Sequence, residues 1–143
     1  MPAIRQLAPT FAVAPQITAA DMNAIRAAGY GFIVNNRPDA EEPGQPEGAA
    51  IEEAALAAGL GYLAIPIDRS GYTADHVAAL SALMVSPRPI LAFCRSGTRS
   101  ATLWALASAS RGAAPADILG ATADAGYDLG GLAPTLHQLS GAG

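Results

Sequence analysis

From residue 89 the chain reads Pro89-Ile90-Leu91-Ala92-Phe93-Cys94-Arg95-Ser96-Gly97-Thr98-Arg99-Ser100, then stays largely apolar through Leu103, Trp104 and Leu106 to Ser110. Ile90 to Phe93 has the pattern of a buried strand, and residues 99 to 110 are apolar almost all round, as a helix enclosed by protein must be. The same strand-then-helix rhythm extends in both directions. Upstream, Phe11 to Gln16 reads as a short edge strand, and Thr18 is the N-cap of a helix over 19–28, with Ile17 and Met22 at the staple positions and Gly29 as its stop. Gly31 to Asn35 is β-rich and breaks into a polar loop over 36–46. Residues 47 to 58 put Ile51, Ala54, Ala55 and Ala58 on one helical face, and Tyr62 to Ile67 reads as the next strand. Thr73 then caps a helix with Val77, Leu80 and Met84 on a shared face, ending before Pro87. Downstream, Pro115 and Gly126 bracket another helix, and about 131 to 139 reads as a last one. Alternating strands and helices predict an α/β domain: a mainly parallel sheet flanked by helices on both faces.

The chain has 143 residues, which fits a single domain over 1–143. Hydrophobic residues make up 51% and charged residues 14%, so a packed core is available. A net charge of −4 and the absence of any basic cluster argue against a nucleic-acid surface. No segment approaches the ~20 apolar residues of a membrane span, and the start lacks a signal-peptide pattern, so a cytoplasmic location is expected. All eight basic residues are arginine, which excludes lysine Schiff-base and P-loop chemistry. The single cysteine, Cys94, forms no internal disulfide, and the two histidines, His76 and His137, offer no ligand spacing. No metal and no organic cofactor is implied.

Cys94 stands at the carboxyl end of a predicted strand, where open α/β sheets bind their ligands. A loop turning at Gly97 directs successive backbone N–H groups inward, and the following helix adds partial positive charge at its N-terminus. With Arg95 and Arg99 nearby, such surroundings favour the thiolate of Cys94. The alternative, a buried structural cysteine, is the common fate of a lone cysteine, but this combination of strand, glycine, arginines and helix favours a nucleophile. Trp104 reads as core, and His76 and His137 as structural or exposed.

The run Cys94 to Ser100 resembles the active-site loop of rhodanese sulfurtransferases. Asn35-Asn36-Arg37-Pro38-Asp39 with Glu41, Glu42, Pro43, Gln45 and Pro46, together with Ile65-Pro66-Ile67, resembles a family of small bacterial proteins with the fold of cysteine-dependent dual-specificity phosphatases. The resemblance spans nearly the whole chain. Members have been labelled both phosphatase and sulfurtransferase, and the family occurs fused to or encoded beside persulfide dioxygenases of the metallo-β-lactamase type. It thus implies such an enzyme as a candidate partner.

Tyrosine-phosphatase-like enzymes carry an arginine six positions after the cysteine, usually with histidine before it. Here Phe93 precedes Cys94, Arg99 is at the fifth position and Ser100 at the sixth, which is the rhodanese spacing. The reading is therefore a sulfurtransferase. Cys94 is the nucleophile with Arg99 beside it, Ser96, Gly97, Thr98 and Ser100 shape the cradle, and Arg95 attracts an anionic donor. Thiosulfate or a persulfide is the donor; without a second cysteine the acceptor must be external, such as glutathione or cyanide. Arg37, Asp39 and Glu41 form either a wall beside the loop, with Arg37 touching the donor, or a turn with local ion pairs. Asp68 occupies the place where dual-specificity phosphatases often carry a general acid, but an exposed loop aspartate or a pair with Arg69 fits equally. A cysteine-dependent phosphatase is the second reading, and a non-catalytic partner-binding module the third.

Overall fold

A computed structural model describes residues 2–141. Five strands form one sheet: β1 (Arg5–Ala8), β2 (Phe11–Ala14), β3 (Phe32–Asn35), β4 (Gly61–Ala64) and β5 (Ile90–Phe93), in the order β1-β2-β5-β3-β4. Only β1 runs antiparallel; β2, β5, β3 and β4 are mutually parallel. Strand β5 lies between β2 and β3, in register with both, so Phe93 pairs with Ala14 on one side and with Asn35 on the other.

Alternation along the strands sorts the core into two layers, because successive side chains of a strand leave on opposite faces. Ile90, Ala92, Phe11, Val13 and Val34 face one layer, which is built with α3 (Ala74–Met84), α4 (Thr98–Ser110), α5 (Pro115–Asp124) and α6 (Ala133–Ser140). Leu91, Phe93, Ala12, Ala14 and Ile33 face the other, covered by α1 (Met22–Ala27) and α2 (Gly48–Ala57). Helix α4 is enclosed as its composition requires: every residue from Ser100 to Ala109 is buried, and Trp104 stacks obliquely on Phe11 at a centroid distance of 6.2 Å.

Two expectations are corrected. Phe11–Ala14 is an interior strand rather than an edge strand, because Arg5–Ala8 folds back on it as an unforeseen β1. In β1 only Leu7 is buried, the register slips between Gln6 and Ala8, and Arg5 and Gln6 are exposed; such charged, irregular strands are how sheets end without inviting further pairing. The helix expected over 19–28 is a 3-10 turn (Ala19–Asp21) followed by α1, with the Asp21 carboxylate accepting from the Thr18 N–H at 2.8 Å. The strand ladder of β4 ends at Ala64, yet Ile65 and Ile67 still donate to the carbonyls of Asn35 and Asn36. No helix among the described residues is long and apolar enough to cross a membrane.

Leu103 is wholly buried between the sheet and the helices that pack on it, so Leu103→Ala is expected to lower the unfolding free energy by about 2–5 kcal/mol in urea denaturation. Leu56→Ala, at a position 58% exposed, is expected to change it by no more than about 0.5 kcal/mol.

Candidate active site

Residues Cys94 to Gly97 connect the buried end of β5 to the first turn of α4. The turn depends on Gly97, whose φ of 93° lies in the left-handed region that side chains disfavour. A Cβ there would also collide with the Tyr127 hydroxyl. This conformation points the Gly97 N–H at Cys94 Sγ, at 3.1 Å. The sulfur is fully buried. Ser96 and Thr98 join hydroxyls at 3.1 Å on the exposed rim of the loop, and the Tyr127 hydroxyl donates to the Ser96 carbonyl at 3.4 Å.

Arg99, on the first turn of α4, reaches across to the loop over 36–46. Its two terminal nitrogens donate to both oxygens of Glu41 at 2.8 Å each, and Nη1 also donates to the Ile67 carbonyl. Planar pairing of this kind is the strongest geometry available to an arginine–carboxylate pair. Glu41 is shared: the Arg37 Nε donates to its Oε1 at 2.9 Å. The remaining guanidinium nitrogens of Arg37 are taken by Gln16 at 3.0 Å and Glu42 at 2.8 Å, and its side chain is only 2% exposed. Arg95 is 69% exposed and approaches Glu42 at 3.7 Å.

These contacts set the charges. The Arg99 hydrogen bond holds Glu41 below the usual carboxylate range, against the opposing effect of burial and with help from Arg37. The same bond to Glu41, with the adjacent Cys94 sulfur, holds Arg99 above its ordinary value despite burial. Burial pushes up the phenols of Tyr72 and Tyr127, and the nearby Cys94 adds to both shifts.

The loop that carries Glu41 is held in shape. Ala40 has a φ of 61°, a left-handed conformation that costs a non-glycine residue about 1–2 kcal/mol. Gln45 clasps the loop by accepting from the Glu41 N–H at 3.0 Å and donating to the Pro38 carbonyl at 2.8 Å. Asp39 turns away from the cysteine and accepts from the Gly48 N–H at the start of α2, at 2.7 Å.

The structure thus gathers Cys94, Arg95, Ser96, Gly97, Thr98 and Arg99 into one turn, with Arg37 and Glu41 behind it. Of the two readings of this loop, the local ion pairs are present: Arg37 pairs with Glu41 and Glu42, while Asp39 engages the start of α2 instead. Arg37 is placed as a buried support, with all three nitrogens engaged within the protein. Ser100 is also buried, its hydroxyl donating to Asn36 Oδ1 at 2.8 Å. Asp68 lies on an exposed turn directly after Ile67, whose carbonyl Arg99 contacts; the hydroxyl and N–H of Ser70 hold its carboxyl below the ordinary value. His76 exchanges capping hydrogen bonds with Thr73, and His137 is exposed on α6.

Sequence reasoning missed four residues. Asn36 is buried and ties three elements together: its N–H donates to Phe93 at 2.8 Å, its side chain to Ile65 at 2.9 Å, and its Oδ1 receives Ser100. It belongs to the quoted Asn-Asn-Arg-Pro-Asp run, so the signal was there. Gln16, Tyr72 and Tyr127 are remote in sequence and carry no local signature. Among the described residues, no group of three or more His, Cys, Asp or Glu side chains could hold a metal ion.

Residues 3–111 match the family described as beta-lactamase hydrolase-like protein, phosphatase-like domain. The chain is 39% identical over 101 residues to a beta-lactamase hydrolase-like protein of Agrobacterium fabrum, covering 70% of this chain and 23% of that protein. It spans about a quarter of the length of the curated relatives it matches. A crystal structure of a candidate phosphatase from Neisseria meningitidis is similar over 95% of this chain and 97% of its own, with 31% identity and a TM-score of 0.81. The crystal structure of Tk-PTP in the active form shares the fold at 17% identity and a TM-score of 0.73, over 98% of this chain and 97% of its own.

Glu41 is held below its ordinary value, so its stabilising contribution is complete above about pH 4.3 and is lost as pH falls through the lowered value. Denaturant midpoints of the wild type and Glu41→Gln should therefore differ at pH 7 and converge at strongly acid pH; a gap independent of pH would assign the effect to packing.

Proposed function

Because the chain belongs to the family of phosphatase-like domains of beta-lactamase hydrolase-like proteins, we propose that this domain uses its phosphatase-like fold for sulfur transfer through Cys94. In the first step the Cys94 thiolate attacks the outer sulfur of thiosulfate or of a persulfide. The S–S bond of the donor breaks, sulfite or a thiolate leaves with the electron pair, and Cys94 becomes a persulfide. In the second step an external thiolate such as that of glutathione, or cyanide, attacks the outer sulfur and releases the Cys94 thiolate.

The observation that carries this reading is the short cradle. Arg99 follows Cys94 by five positions, and the Gly97 N–H closes to 3.1 Å on a sulfur that is fully buried. A ring of this size suits one added sulfur atom, whose charge the Gly97 N–H and the α4 N-terminus stabilise. Cleavage of a phosphoester benefits from a general acid, for which Asp68 is the candidate by position, whereas sulfite leaves as a stable anion and needs no proton.

The second reading, a cysteine-dependent phosphatase, is favoured by the likeness to the candidate phosphatase from Neisseria meningitidis. In the sulfur-transfer reading, the persulfide product would be consumed by an oxidising partner, and a persulfide dioxygenase of the metallo-β-lactamase type fits that role. The curated relatives have about three quarters of their length outside the matched region, room enough for a second catalytic unit.

The mass of the intact protein after brief exposure to thiosulfate, to glutathione persulfide and to an aryl phosphate separates the two readings. A gain of one sulfur atom with a sulfur donor, reversed by cyanide and absent in Cys94→Ser, is expected. Efficient turnover of the aryl phosphate with every sulfur donor inert would establish the phosphatase instead.

Asp68→Asn is expected to leave sulfur transfer within about threefold of wild type, whereas loss of a working general acid costs about 100-fold or more. Steady-state rates of cyanide-dependent sulfur release check this.

A further inference from the structure

We propose that Glu41 is a specificity-determining residue: by occupying the anion-binding face of Arg99 it turns the site away from dianionic donors and toward low-molecular-weight persulfides bearing a carboxylate. The inference rests on the sulfur-transfer reading and names its substrate class.

The argument begins with the cations. Three arginines surround the Cys94 loop, and two of them are already committed. Arg99 gives both terminal nitrogens to Glu41 and one of them also to the Ile67 carbonyl. Arg37 gives its three nitrogens to Glu41, Gln16 and Glu42. A tetrahedral dianion such as thiosulfate binds best to a free planar guanidinium, which offers it two parallel hydrogen bonds. Here Glu41 is that ligand, built into the chain. Its position is not incidental, since the left-handed Ala40 and the Gln45 clasp hold the loop that presents it.

Transfer from a persulfide balances: RS–SH and the Cys94 thiolate give Cys94–S–SH and RS⁻, with one negative charge on each side. The carrier end of the donor has its own counter-ion. Arg95 is 69% exposed and its approach to Glu42 is long, 3.7 Å, so its guanidinium can turn to a carboxylate on the incoming molecule.

Three proteins and two readouts test this: wild type, Glu41→Gln and Glu42→Gln, each assayed for kcat/KM with glutathione persulfide and with thiosulfate, and each titrated with sulfate as an unreactive dianion. Glu42→Gln adds the same charge as Glu41→Gln but releases Arg95 and one nitrogen of Arg37 while leaving Arg99 covered, and so separates the Arg99 face from net charge. Wild type is expected to favour glutathione persulfide. Uncovering a charged hydrogen-bonding face is worth about tenfold, so Glu41→Gln should tighten sulfate binding by about tenfold and shift donor preference toward thiosulfate by a similar factor. Glu42→Gln should change either quantity by about threefold at most.

A wild-type preference for thiosulfate, equal shifts in the two variants, or unchanged sulfate binding in Glu41→Gln would each overturn the proposal. The last outcome, with parallel loss for both donors, would make Glu41 only a positioning residue for Arg99. If neither donor modifies wild-type Cys94, the sulfur-transfer reading fails and the substrate assignment fails with it; sulfate tightening in Glu41→Gln alone would then retain Glu41 as the occupant of the anion face.

Discussion

The left-handed turn at Gly97 is the constraint from which the site is built. A strand buried on both faces has to hand over to a helix buried on nearly all sides, and it does so within the short loop from Cys94 to Gly97. A glycine provides the backbone freedom, and the turn it makes carries its own N–H onto the sulfur of the residue three positions earlier. Tyr127 packs against the glycine where a side chain would otherwise stand, so the turn is supported from a segment beyond α5. The placement of the Cys94 sulfur, the amide that faces it and the start of the helix dipole are therefore consequences of one backbone conformation.

A second layer locks that turn to the rest of the sheet. Asn36 contacts the carbonyl of Phe93, the carbonyl of Ile65 and the hydroxyl of Ser100, so the end of β5, the segment after β4 and the first turn of α4 are tied together. Outside it, Arg37 and Arg99 meet on Glu41. This alternation of guanidinium and carboxylate satisfies a buried arginine that would otherwise be costly, since an unpaired charge in such a place loses far more than an exposed ion pair gains. The arrangement rigidifies the site and sets its charge at the same time.

The likeness to phosphatases belongs to the fold and to the family description, and a fold of this kind hosts more than one chemistry. The chemistry depends on a smaller set of features: how many residues the loop encloses, what occupies the arginine, and whether a protonated acid stands opposite. In this chain the loop is short, the arginine is held by a glutamate, and the nearest acid suggested by position is drawn to its own turn.

Much of this was legible along the chain. Strong local signals placed β3, β5, α2, α3 and α4, because each has an apolar period bounded by glycine, proline or a capping threonine. The Cys94 loop was legible for the same reason: strand, glycine, arginines and helix are contiguous. The first strand was not, because its two exposed residues and the proline after it look like a loop until Phe11–Ala14 provides the partner. Nor could sequence order reveal that Arg37 is buried while Arg95 is open, that Asp39 caps a helix while Glu41 holds Arg99, or that Tyr127 seals Gly97. Local physics determined the elements and the Cys94 loop; only the folded chain decided which charges meet, because ion pairing depends on distances across the sheet that no local pattern encodes.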